Sequence, residues 1–454
     1  MDLIDIVIIT AFFLITFIIG IIERRKLSLE DYWVNGRKTG TFLLIATVLS
    51  TFIGAGSILG NASISFLGGG LATLIIPASF FFYYLLYNKF FAPKIKEFGD
   101  LNRAYTLPDF FGYKYSERSR VVSTIINLTS LIFYLALHIV AIGVFVNLLT
   151  GFNPIIANLI GGLIVIAYTA VGGIRADIRT DVFQFFVMLF LLIVFLPIVI
   201  IKAGGFSAIT ALPKSFLIGA DFAPFYVFIL AFFFVGTSIF SFPDLWQRTY
   251  AAKDKNSIKR SGVIISILIL LFLVMGTLLG IFGKLVLPNS SSNSIIADLL
   301  NQFLPVGLYG LVVAGFFAAI MSSSDTILLN TSMTLVRDVY QKILKNKASE
   351  EHLLKLSRTV TLIVGILGLI VGIIVANIAH LSIEAVSFNV VLVPAIVFGF
   401  YWRKANDSAA FWSILLGALA ITAFLFIDPV QAFIPGTIVS FGTYLLITWF
   451  RKVS

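Results

Sequence analysis

Apolar runs of about 20 residues, the length that crosses a hydrocarbon core, recur along the whole of this chain. They are continuous rather than alternating, which points to helices and not to a barrel, the two structures that satisfy their backbone in lipid. Charged residues are 12% of the sequence and hydrophobic ones 59%, whereas a soluble chain carries about a quarter charged residues. The sequence therefore predicts an all-α integral membrane protein.

About thirteen spanning segments are expected from hydropathy. They run approximately Leu3–Ile22, Thr41–Leu67, Leu71–Phe91, Val121–Leu149, Pro154–Val171, Asp181–Ile201, Ala223–Phe242, Ile258–Phe282, Val306–Met333, Leu356–Ala376, Leu381–Tyr401, Ser408–Ile427 and Phe433–Phe450. With the N-terminus outside and the C-terminus cytoplasmic, 29 of the 32 Lys and Arg fall on inside stretches, and only Lys202, Lys214 and Lys284 lie outside. One missed helix would invert every later loop, so the bias supports the count. All five tryptophans (Trp33, Trp246, Trp402, Trp412 and Trp449) fall near the inside boundary, as interfacial aromatics do. The first apolar run opens with Asp2 and Asp5 rather than a basic region, unlike a cleavable signal peptide. Loops are short, so residues 1–454 are expected to form a single transporter-sized unit. The longest inside loop, Pro93–Arg120, has room for interfacial helices.

Two segments carry interruptions. The second span reads Ser50-Thr-Phe-Ile53-Gly54-Ala-Gly56-Ser57-Ile-Leu-Gly60-Asn61, and the seventh reads Val235-Gly236-Thr237-Ser238-Ile-Phe240-Ser241-Phe242-Pro243-Asp244. Five crossings separate them, so they run in opposite directions. Paired interruptions in two inverted halves point to a transporter binding site. Unwinding frees carbonyls for a cation and amides for an anionic group. The plainer reading is close helix packing through small residues.

The ninth span carries Ala319-Ile-Met-Ser322-Ser323-Ser324-Asp325-Thr326. Mid-helix hydroxyls can supply neutral oxygens to a hard cation, or can simply bond back one turn. Asp325 argues for function, since an acid at this depth is expensive; a salt bridge to a neighbouring helix is the alternative. The loop after the fifth span ends in Asp181-Val-Phe-Gln184, with the spacing of a helix capping box. Asp181 is thus either an N-cap or a gate at the inside mouth.

Several classes are set aside. Cysteine is absent and the three histidines are isolated, so thiol and zinc catalysis lack ligands and no enzyme is expected. The net charge of +10 fits basic loops facing an anionic leaflet, and nucleic acid is not an expected partner. A channel would more often show a repeated pore motif. A proton-coupled or uncoupled carrier is the serious alternative, because one protonatable acid can replace a sodium ion.

In order along the chain, Asn35-Gly-Arg37, the glycine-rich second span, Tyr168-Thr-x-x-Gly172-Gly173 ending in Thr180-Asp181-x-x-Gln184, Gln247-Arg248 followed by Ala251-Ala-Lys-Asp254, and Ala319-x-x-Ser322-Ser323 followed by Asp338-Val-Tyr340 resemble the sodium:solute symporter family. The resemblance implies a leucine-transporter-type fold, with inverted five-helix repeats at approximately 41–201 and 223–401 and peripheral helices at 3–22, 408–427 and 433–450. It implies secondary active symport with sodium by alternating access. The sodium ligands would be the carbonyls of Ser50, Ile53 and Ala319 and the hydroxyls of Ser322 and Ser323. A second cation or proton site would use Asp181, Asp325 and Thr326. A pocket lined by Gly56, Ser57, Thr237, Ser238, Phe240 and Phe242 would be small and weakly polar, which suits a small organic anion or an amino acid. The expected partners are that solute and the lipid bilayer, with one copy as the working unit.

Overall fold

The computed structural model describes residues 2–22, 28–344 and 347–450, without the side chains of residues 21, 164, 167, 168 and 170–173. Arg24, Arg25, Lys26, Lys345, Arg451 and Lys452, counted above as inside charges, and the side chains at the motif positions Tyr168, Gly172 and Gly173 lie outside the described residues. Among the described residues the fold is helical throughout, with one isolated bridge between Thr39 and Ala252. Among the described residues ten helices are long and apolar enough to cross a membrane, or eleven if the bent pair Phe225–Ser241 and Pro243–Ala251 forms one span. The expected spans Thr41–Leu67 and Pro154–Val171 each contribute a shorter apolar helix to that inventory, Thr41–Phe52 and Pro154–Leu163.

Local chemistry sets the helix ends. Ser28 and Asp31 form a reciprocal capping box on Leu29–Val34, and Thr106 caps the interfacial helix Leu107–Lys114. Asn153 caps the helix that opens at Pro154, where proline's fixed φ and missing N–H cost nothing. One cap reading is corrected. Asp181 and Gln184 lie inside the helix Pro154–Phe190, so Asp181 is not an N-cap and residues 172–180 are helical rather than a loop. Between the expected spans ending at Phe282 and opening at Val306 lies a further helix, Ile295–Phe303, with Ile295, Ile296, Leu299 and Leu300 buried.

Burial sorts the helices. Leu3–Ile22 exposes Leu3, Val7, Leu14, Phe17 and Ile18, an apolar surface suited to lipid. Its Asp5 is buried and accepts the amides of Gly307 and Gly310, both at 2.8 Å. That tie fastens the first helix to the start of Leu308–Thr334. This serine helix is the centre of the bundle, buried from Val312 to Thr334.

Both interruptions are real breaks. Thr41–Phe52 ends at Ile53, whose φ of −89° and ψ of 71° leave the helical region, and the chain resumes as a wide π-type turn at Gly56–Gly60. A Cβ on Gly54 would collide with Ser323 Oγ and His138 Nε2, so only glycine lets the backbone lie this close. In the second break, Phe225–Phe233 gives way to a 3₁₀ turn at Gly236–Ser241, then Phe242 is extended and Pro243–Ala251 leaves at 43°. Proline disfavours a helical residue before it, so Pro243 accounts for the conformation of Phe242.

Candidate ion and substrate site

The serine helix meets the first break through Ser323. Its hydroxyl lies 2.7 Å from the Thr51 carbonyl, 3.1 Å from that of Ala319 and 3.4 Å from that of Ser50. A hydroxyl has one proton to donate, so at any moment at least two of these three carbonyls go without it. Four oxygens thus converge with no formal charge among them, the donor set that suits a small hard cation. The carbonyls of Ser50 and Ala319 take part in this cluster, together with that of Thr51. Ile53 sits buried at the break. Ser322 turns from the cluster and donates to Asp181 Oδ1, while the Ser50 hydroxyl donates 2.9 Å to the Asp181 carbonyl.

His138 closes the other side of this cluster. Its Nδ1 is 2.6 Å from the Tyr134 carbonyl and its Nε2 is 3.3 Å from the Ala55 amide. The carbonyl requires a proton on Nδ1 and the amide requires a lone pair on Nε2, which specifies the neutral Nδ1–H ring. This imidazole supports the unwound backbone at Ala55.

About one helical turn along, at Thr326, the chemistry changes. The Arg248 side chain is 1% exposed, and its Nη2 is 2.6 Å from Asp177 Oδ2, 2.6 Å from Thr326 Oγ1, 3.0 Å from Thr51 Oγ1 and 3.5 Å from Asp181 Oδ2. Its Nε donates 2.9 Å to Thr47 and its Nη1 donates 3.0 Å to Gln247 Oε1. Thr47 in turn donates to Asp181. A buried guanidinium needs both countercharge and acceptors, and this one has them from three helices. Arg248, counted from the sequence as an inside-loop charge, is a core residue.

Asp181, Asp325 and Thr326, grouped from the sequence, have the following partners. Asp181 and Thr326 share Arg248, whereas Asp325 accepts a hydrogen bond from Thr169. Arg248 stood in one family-like motif and Asp177 falls between the named positions of another, and neither carried a role there. Their meeting joins positions 71 residues apart, which no local pattern reports.

Between the two breaks lies a cavity of about 150 Å³. Gly56, Ser57 and Phe242 line it as expected. Thr237, Ser238 and Phe240 are not in its wall. The two hydroxyls bond back to the carbonyls of Phe234 and Val235, each at 2.6 Å, and Phe240 stacks on Phe91 with centroids 4.3 Å apart. Their places are taken by Phe52, Phe80, Tyr134, His138, Asp244 and Ser382.

The family model described as "Sodium:solute symporter family" matches residues 32–417. The chain is 28% identical to the sodium/pantothenate symporter of Escherichia coli (strain K12), over 90% of this chain and 88% of that protein. It is 25% identical to the sodium/proline symporter of Salmonella typhimurium (strain LT2), over 89% of this chain and 84% of that one. Among solved structures, a Na+-coupled sialic acid symporter in a substrate-bound outward-open state superposes with a TM-score of 0.82, at 17% identity, covering 99% of this chain and 98% of that chain.

Proposed function

The chain belongs to the sodium:solute symporter family, and from that premise we propose that it carries a small organic solute across the membrane with sodium by alternating access. The observation that supports this most directly is the neutral oxygen cluster of Ser50, Thr51, Ala319 and Ser323, at distances of 2.7–3.4 Å from the Ser323 hydroxyl. Sodium there would draw on the carbonyls of Ser50, Ile53 and Ala319 and the hydroxyls of Ser322 and Ser323, with Thr51 added. Binding would pull Ser322 from Asp181 and draw the first break against the serine helix. The solute would sit in the adjoining cavity, with Gly56, Ser57 and Phe242 in its wall. An organic anion or an amino acid is the favoured solute.

Sodium and solute need only prefer the same conformation for each to raise the other's affinity. Both would bind against the first break, so ordering it for one orders it for the other. Asp181 would act as the inward gate, linked through Thr47, Thr326 and Arg248 to the helix after the second break. In this reading thirteen crossings place the N-terminus outside and the C-terminus in the cytoplasm, and segments 41–201 and 223–401 form the inverted repeats.

A second reading, proton coupling on the same fold, is supported by Asp325, a carboxylate 2% exposed on the serine helix. Transient currents from proteoliposomes on a solid-supported membrane separate the two. A panel of small anions and amino acids applied in sodium should evoke current that vanishes in potassium. Equal currents in both ions, growing with an inward proton gradient and lost in Asp325→Asn, would replace sodium by a proton.

A further inference from the structure

We propose that the cavity between the two breaks takes a solute bearing a positively charged, alkylated nitrogen, held by the Asp244 carboxylate and the rings of Phe52, Phe80, Tyr134 and Phe242. This rests on the transport reading above and narrows its solute. All five side chains line the cavity. The rings form one cluster around Phe242, with centroids 5.9 Å from Phe52, 6.1 Å from Phe80 and 6.0 Å from Tyr134, while Phe52 and Phe80 lie 5.6 Å apart. Ring faces carry negative potential, and several around one site attract a cation most when water is excluded.

Asp244 supplies the formal charge. Its carboxylate accepts the backbone amides of Asp244 and Leu245 and feels the charge of Arg248 one turn on, while it borders a mostly apolar cavity. Its bland role is as an acid in the first turn of Pro243–Ala251, where the helix dipole favours negative charge. That role accounts for an acid at this position. It does not account for four aromatic rings sharing the same cavity.

The four rings favour alkyl groups on the nitrogen, since an apolar face takes a C–H group without a lost hydrogen bond. Ser57 and Asn61 donate to the carbonyls of Gly54 and Ser57, at 3.0 and 2.8 Å. Both His138 nitrogens face backbone partners. Among the described residues Asp244 is the one carboxylate in the wall, beside the acceptor oxygens of Thr51, Ser57, Asn61 and Ser382. An alkylated nitrogen presents C–H groups to the rings and keeps its charge.

The test is equilibrium binding to purified protein in sodium, by calorimetry. Glycine betaine is compared with tert-butylacetate, and choline with its tert-butyl analogue, each pair matched in shape but with carbon replacing the charged nitrogen. We expect at least one nitrogen compound to bind tenfold or more tightly than its carbon twin. Asp244→Asn and, separately, Phe80→Leu should each weaken that binding about tenfold or more while sodium still raises thermal stability, which excludes misfolding. Carbon twins that bind as well would overturn the proposal, as would absence of binding by both nitrogen compounds while sodium still stabilises the protein. In those cases the transport reading survives. Nitrogen-dependent binding that is indifferent to sodium would instead support the cavity assignment and remove the sodium coupling.

Discussion

Two clusters lie about a turn apart on the serine helix and solve opposite problems. At Ser323 the helix gathers uncharged oxygens, three carbonyls around one hydroxyl. At Thr326 it meets a guanidinium already paired with Asp177 and close to Asp181. The first cluster has acceptors in excess of protons and suits a cation arriving from solution. The second carries its cation covalently, on the helix that follows the second break. The fixed cation cannot respond to a concentration gradient, whereas a mobile ion held at Ser323, as proposed, would.

This contrast predicts very unequal losses. Arg248→Gln leaves two buried carboxylates without their guanidinium and should cost about 3–5 kcal/mol in thermal or denaturant unfolding. Adding Asp177→Asn should recover part of that loss. A cost below about 0.5 kcal/mol would mean that the cluster is solvated and carries no fixed charge balance.

Gly54→Ala comes next. Its Cβ would collide with Ser323 and His138, so overpacking should cost about 1–3 kcal/mol and blunt any stabilisation by sodium. Gly442→Ala, where a Cβ meets nothing within 4 Å, is the control and should stay within about 0.5 kcal/mol.

Ser323→Ala removes one hydroxyl and leaves the carbonyls in place. Without sodium the change should be small, about 0.5–1.5 kcal/mol. Equilibrium binding of radioactive sodium should nevertheless weaken at least tenfold, equivalent to about 1.4 kcal/mol or more. Ordinary sodium affinity in this variant would move the ion away from the serine.

The smallest effect concerns a third cluster, at the end of the serine helix. Burial pushes the Asp109 carboxyl up, but Arg337 and Arg120 outweigh it and hold the group below its usual range. A depressed carboxyl stabilises the fold above its unfolded value, about 3.9, and loses that contribution as pH falls through the lower folded value. In an Asp338→Asn background, which removes the second carboxyl on Arg120, the unfolding temperatures with and without Asp109→Asn should therefore keep a constant separation from pH 8 to 5 and converge only in stronger acid. Convergence near neutrality would contradict this balance of charges.

The sequence shows these regions unequally, for physical reasons. Both breaks are legible because backbone demands leave local marks: Gly54 where no Cβ fits, and Pro243 forcing Phe242 out of the helix. Ser323 is legible because mid-helix hydroxyls are conspicuous in an apolar span. The wall of the cavity is less so. Gly236–Ser241 winds as a 3₁₀ turn, whose period of 3.0 rather than 3.6 residues rotates the face presented. Its hydroxyls also satisfy themselves on their own backbone, which carries Thr237 and Ser238 out of the cavity wall. The capping-box spacing at Asp181 misleads because a local pattern competes with tertiary partners: Thr47, Ser322 and Arg248 use that carboxylate inside a helix. Arg248 is the hardest to see, since an arginine just beyond an apolar run reads as an interfacial charge until distant acids are brought to it.

The central claim is that sodium binds at the serine helix against the first break. Thermal stability of purified protein, titrated with sodium or potassium at equal ionic strength, tests it without knowledge of the solute. A ligand that binds only the folded state stabilises it as its concentration passes the dissociation constant, by about 2.7 kcal/mol at a hundredfold excess. The account predicts a saturable, sodium-specific rise in wild type that is absent from the Ser322→Ala, Ser323→Ala double variant. An identical response to both ions, or a sodium response that survives both substitutions, would contradict it.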